Sequence, residues 1–215
     1  MASIRRRCLV TLFGLLAGFG GQASDVVAQA GSTSPPRVEL QGPALLAALR
    51  GGGYILYFRH TATDFGQSDE RMTGFEECAT QRNLTENGRA EARAIGAALR
   101  ELSIPVGNVL ASPYCRTMET AQLMFGRAIA TPAVRGGPAQ PESPARYAEL
   151  RDLLATPTPL GTNLVIASHG NPYRAVAGGA YLAEGEAAVI EPRGLEGFRV
   201  VARVRPDEWK QLPMR

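Results

Sequence analysis

The sequence predicts an α/β domain: a three-layer sandwich with a mostly parallel central sheet and helices on both faces. Three observations carry this. Short apolar runs rich in β-branched and aromatic residues ("YILYF", "VGNVLA", "NLVIAS") alternate with stretches of helical periodicity, the pattern of a parallel sheet covered on both sides. Two of these runs stop at the only two histidines of the chain, in "LYFRHTATDF" and "LVIASHGN". A strand end of that kind is where an α/β sheet places its ligands. The 215 residues, 45% of them hydrophobic, suffice for one domain with a full core.

Taken in order, residues 43–50 read as a short helix that Gly51, Gly52 and Gly53 stop. Residues 54–58 form the first strand. Residues 61–83 follow as a polar loop without periodicity, long enough to act as a lid or binding loop. Thr85 suits a helix N-cap, and Ala92, Ile95, Leu99 and Leu102 share one face of the helix behind it. Residues 106–111 are a second strand, 114–125 and 147–154 helices, and 163–168 a third strand. Residues 187–190 and 198–204 close the sheet as an antiparallel pair. Internal repeats are absent, and the low-complexity segments are a Ser/Pro-rich linker at 31–37 and a Gly/Pro loop at 135–144.

The first thirty residues have the layout of a secretory signal peptide: Arg5, Arg6 and Arg7, an apolar stretch from Cys8 to Phe19, and small residues up to Ala30. The apolar stretch is short for a membrane span. The expected organisation is therefore a signal peptide at 1–30, a linker at 31–42 and one folded domain at 43–215, in a periplasmic or secreted protein without a stable membrane anchor after cleavage. The consecutive arginines also suit a twin-arginine export route. Removing residues 1–30 takes away three arginines and Asp25, so the net charge falls from +3 to +1. With basic residues scattered and no aromatic interleaving, the composition excludes a nucleic-acid partner.

The chemistry gathers at strand ends. Arg59 and His60 end the first strand, Arg116 in "ASPYCRT" lies just past the second, and His169 ends the third. Parallel strands bring these ends to one edge, where two guanidiniums and two imidazoles make a site for a dianion. Arginine forks match phosphate oxygens two at a time. A neutral imidazole nitrogen can attack phosphorus, with the arginines doing the charge neutralisation that metal ions do elsewhere. Two distant histidines supply no zinc-type ligand set, and no phosphate-cradling glycine loop follows a strand, so neither metal nor cofactor is expected.

These stretches, with "RNLTENGRAEARAIGAALREL" and "VLASPYCRTMETAQLMFG", resemble the histidine phosphatase superfamily, in its phosphoglycerate-mutase-like branch, over roughly residues 53–204. The resemblance implies that His60 becomes phosphorylated, that Arg59 and Arg116 hold the phosphoryl group, and that His169 also binds it. Leu84, Thr85, Gly88, Ala92 and Gly96 match a helix whose role is structural. The chain departs from the pattern at Thr61, where a glycine is usual, and at Gly66, where an asparagine is usual. Thr63 or Gln67 is the expected replacement for the lost phosphate contact. For the general acid the family offers a glutamate after Arg116, hence Glu142 or Glu149; Glu184 and Glu186 are further candidates, with Glu186 preferred because it precedes a strand just past the His169 segment. Glu119 is expected to orient Arg116.

The implied activity is a metal-independent phosphatase acting on small phosphomonoesters through phosphohistidine, with a phosphosugar of a bacterial envelope as a substrate class suggested by compartment. A non-catalytic phosphate-binding domain of the same fold, or a phosphoglycerate-mutase-type phosphotransferase, is the alternative. Cys78 and Cys115 are the cysteines left after signal removal. Export would leave them in an oxidising compartment, where such a pair is bridged, pinning the 61–83 loop over the pocket; two separate buried thiols are the alternative.

Overall fold

Alternation along the first strand divides the core in two. In the structure, a computed structural model that describes residues 39–136 and 144–214, β1 (Ile55–Arg59) points Leu56 and Phe58 to one face of the sheet and Ile55 and Tyr57 to the other. All four are fully buried, as a central strand of a two-faced sheet requires. On the first face lie α1 (Gly42–Gly51), α2 (Glu86–Glu101) and α3 (Cys115–Phe125), with Trp209 stacked near Phe58. On the second lie α4 (Ala148–Ala155) and α5 (Gly170–Ala177). These are the three layers expected.

The sheet has six strands in the order β3-β2-β4-β1-β5-β6, with β2 (Val106–Ala111), β3 (Ile129–Ala130), β4 (Asn163–Ser168), β5 (Ala187–Pro192) and β6 (Phe198–Val204). β1, β2, β3 and β4 run parallel; β5 is antiparallel to both β1 and β6. Two elements were not legible in the sequence. β3 has two exposed residues, too few for a period, and α5 starts on the glycine after His169, where the sequence offers no cap signal.

The α2 helix forms as its residues dictate. The Thr85 side chain accepts from Gly88 N–H at 3.0 Å, closing the first turn. Ala92, Ile95 and Leu99 are buried on the sheet side, and Leu102 caps the end. Gly96 lets α2 approach α3, since a Cβ there would stand 2.1 Å from the Met124 carbonyl oxygen; at Gly88 the same atom would stand 2.1 Å from that of Ala62. The 61–83 loop thus packs directly against the helix that follows it. Residues 1–38, which include the expected signal peptide and most of the linker, lie outside the described residues, as does Glu142. Among the described residues no helix is long and apolar enough to cross a membrane.

Candidate active site

Strand register builds the site. Arg59 pairs with Ser168, so the next residues, His60 and His169, emerge side by side, and the His60 N–H donates to the Ser168 carbonyl at 3.0 Å. Ala111 pairs with Ala167 on the other side of β4, which carries Ser112 to the same edge. The imidazole centroids of His60 and His169 are 5.6 Å apart, edge to face. Both rings are buried, 2% and 5% exposed. They line a cavity of about 620 Å³ together with Arg59, Arg82, Arg116 and Tyr114.

Hydrogen bonds set the state of each imidazole. His60 Nδ1 lies 2.9 Å from the Thr61 carbonyl oxygen, which can only accept, so Nδ1 carries the proton and Nε2 keeps its lone pair. Burial, with the positive charge of the neighbouring arginines, pushes the His60 pKa down to about 3. Burial likewise holds that of His169 well below the usual histidine range. His169 shares its Nε2 with the Ser112 hydroxyl at 2.8 Å, and Tyr114 stacks edge-on against the ring at 5.0 Å. The backbone carbonyl of His169 accepts from the Tyr57 hydroxyl at 2.9 Å. A side chain at Gly170 would stand 2.6 Å from the Tyr181 ring and 3.5 Å from Arg59, so the first residue of α5 must be small.

The guanidiniums are held by what surrounds them. Arg59 donates to the Leu182 carbonyl at 2.9 Å and to Glu184 at 3.4 Å. Glu184 also accepts from the Thr63 hydroxyl (2.7 Å) and N–H (3.2 Å), and stands 3.9 Å from His60 Nδ1. Arg116 is gripped from the 61–83 loop: Nη1 and Nη2 each lie 3.0 Å from an oxygen of Asp69, and Nη1 also donates to the Arg82 carbonyl at 3.2 Å. The Nε–H of Arg59, Arg82 and Arg116 is in each case buried without a partner; they are three of only six such side-chain atoms among the described residues. Three orphaned donors around one cavity make an anion cradle.

Cys78 and Cys115 are joined by a disulfide, with Cα atoms 5.7 Å apart. The bridge ties the loop to the first residue of α3, next to Arg116. Gln81 reinforces it, accepting from Cys115 N–H at 3.0 Å and donating to the carbonyls of Gly74 and Phe75.

Several expected residues stand elsewhere. Glu186 is buried away from the cavity with its carboxylate in a two-pronged pair with Arg203 (2.7 Å to each oxygen) and on Ala183 N–H, so it has no face toward a leaving group. Thr63 holds Glu184 instead of facing the cavity, and Gln67 is occupied with Asn83. Glu119 binds Arg89 at 2.6 Å, not Arg116. Glu149 is exposed on α4 and does not line the cavity. The carboxylates that do line it are Asp69 and Glu70, which, like Arg82 and Ser112, were not singled out from the sequence. Ser112 and Arg82 had a readable signal, each lying in a stretch that carries the resemblance, "ASPYCRT" and "RNLTENG". A groove of similar volume, about 630 Å³, runs along β6, but its lining has neither histidine nor cysteine. Among the described residues no group of three or more His, Cys, Asp or Glu is placed to hold a metal ion.

The three-layer α/β fold brings two histidines and three arginines around one cavity, an arrangement that suits an anion. Residues 55–137, which hold Arg59, His60, Arg82 and Arg116, match the family described as the histidine phosphatase superfamily (branch 1). No curated protein matches the sequence. Solved structures share the fold. SixA from Agrobacterium tumefaciens superposes with a TM-score of 0.51 at 16% identity, covering 72% of this chain and 99% of its own. The protein histidine phosphatase SixA complexed with tungstate gives 0.52 at 14%, covering 72% and 98%. The mycobacterial glucosyl-3-phosphoglycerate phosphatase gives 0.51 at 16%, covering 69% and 96%.

Proposed function

We propose that this protein is a phosphatase that hydrolyses phosphomonoesters through a phosphohistidine at His60, without a metal ion. The observation that carries this is the His60 imidazole: neutral, with Nδ1 bound to a carbonyl, and with Nε2 unengaged in a cavity rimmed by three arginines. Nε2 attacks phosphorus, the bond from phosphorus to the ester oxygen breaks, and the ester oxygen leaves with a proton. Arg59 and Arg116 spread the charge of the transferring group, with His169 beside it. As His60 gains positive character, Glu184 at 3.9 Å from Nδ1 steadies it. Water then attacks phosphorus and releases phosphate and the neutral imidazole. For the proton we assign Glu70, because Asp69, the other carboxylate lining the cavity, is bound to Arg116.

The protein acts outside the reducing cytoplasm in this reading. The basic, apolar and small-residue pattern of residues 1–30 supports it, as does the Cys78–Cys115 bond.

The test is a panel of phosphomonoesters offered in chelator, with acid quench to trap phosphoprotein. Turnover in chelator with label on His60, absent in His60→Ala, is the expected result. Activity that chelator abolishes and a divalent ion restores would overturn the metal-independent mechanism.

A further inference from the structure

Arg82 is surplus to a single phosphoryl group. Two histidines and the guanidiniums of Arg59 and Arg116 stand at the strand ends to receive it, yet a third guanidinium lines the same cavity. The three arginines differ in what opposes them. Arg116 has both oxygens of Asp69, and Arg59 has Glu184. Arg82 has no carboxylate within ion-pair distance among the described residues; its guanidinium carbon sits 4.9 Å above the Phe65 ring, and its Nε–H is buried without an acceptor. A partly buried cation held this way is costly unless an anion completes it.

The backbone beneath Arg82 is fixed. Its N–H donates to Asp69 at 2.9 Å, its carbonyl accepts from Arg116, and its neighbour Gln81 is bonded to the disulfide-linked Cys115. The side chain is therefore aimed from a rigid base. Its charge is felt at His60, His169, Arg59 and Arg116 alike, which places it within reach of an anion spanning the site.

We propose that Arg82 forms a second anion subsite, so that the substrate carries a second negatively charged group next to the phosphoryl group that is transferred. This rests on the phosphatase reading for the first group. A diphosphate, a bisphosphate or a phosphorylated acid has that chemistry, whereas a monoester with a neutral remainder leaves Arg82 unmatched.

The test measures binding, which does not need turnover. Inorganic phosphate and non-hydrolysable methylenediphosphonate are titrated into the full chain, its Arg82→Gln variant and its Arg82→Lys variant by calorimetry. Wild type should prefer the diphosphonate by about tenfold or more, Arg82→Gln should fall to within about twofold of parity, and Arg82→Lys should lie between, keeping the charge but losing the fork. Equal binding of both ligands by wild type, or an undiminished preference in Arg82→Gln, would overturn the subsite. Arg82→Lys serves as the readout if Arg82→Gln does not fold. The expected binding pattern in a chain that turns over no monoester would keep the subsite and remove the phosphatase reading instead.

Discussion

At the scale of single residues, the site depends on keeping an imidazole neutral and aimed. His60→Ala should abolish turnover, and His169→Ala should be severe. Arg59→Lys and Arg116→Lys each lose a two-pronged fork and should cost about 2–4 kcal/mol in transition-state binding, read from kcat/KM. Ser112→Ala frees His169 Nε2 and should lower kcat more than it raises KM, because the ring loses its orientation. The pH profile gives a separate check. A histidine with an ordinary pKa would lose activity below about 6.5 as it protonates. With His60 pushed down to about 3, kcat/KM should show no acid limb near 6.5 assignable to that residue, and finding one would contradict the buried, carbonyl-bound imidazole. Glu70→Gln should harm an alkyl phosphate far more than a nitrophenyl phosphate, whose leaving group needs no proton.

At the scale of elements, the 61–83 loop brings Asp69, Glu70 and Arg82 to the strand ends, and Asp69 already occupies the fork that a phosphate would use. Asp69→Asn keeps an acceptor for the Arg82 N–H and removes the competing charge. Phosphate should bind roughly five- to tenfold tighter to this variant, by calorimetry. The disulfide closes a sequence separation of 37 residues, for which the chain-entropy model gives about 3–4 kcal/mol. Cys78→Ser with Cys115→Ser should lower the denaturant midpoint accordingly and weaken phosphate binding, because Gln81 and Arg82 then sit on an untethered turn. An unchanged phosphate affinity would confine the bridge to stability.

At the scale of the whole molecule, two buried neutral histidines make the fold acid-sensitive. Both have folded-state pKa values below the ordinary 6.5, so between those limits the unfolded chain takes up protons that the folded chain does not. The free energy of unfolding therefore falls as pH drops below about 6.5, by up to about 1.4 kcal/mol per pH unit for each histidine. Urea midpoints taken between pH 7.5 and 5, above most carboxylate titration, should fall for wild type and fall less steeply for His60→Ala. Equal slopes would mean that His60 is protonated in the folded state.

What the sequence determined by itself was everything carried by local pattern. Continuous apolar runs at 54–58 and 163–168 marked strands buried on two faces, the Thr85 cap with its apolar stripe marked α2, and the motifs ending in His60, Arg116 and His169 marked one edge of a parallel sheet. Local pattern carries no information about what a polar side chain meets across the fold. Glu184 and Glu186 are two residues apart, yet one reaches Arg59 and Thr63 while the other is consumed by Arg203 from β6. Asp69 and Arg82, 13 residues apart in a loop without periodicity, meet at Arg116 only because the folded loop is tied to α3. The tertiary structure decided those partners, since a charge buried at low dielectric is settled by its neighbours in space and not by its neighbours in the chain.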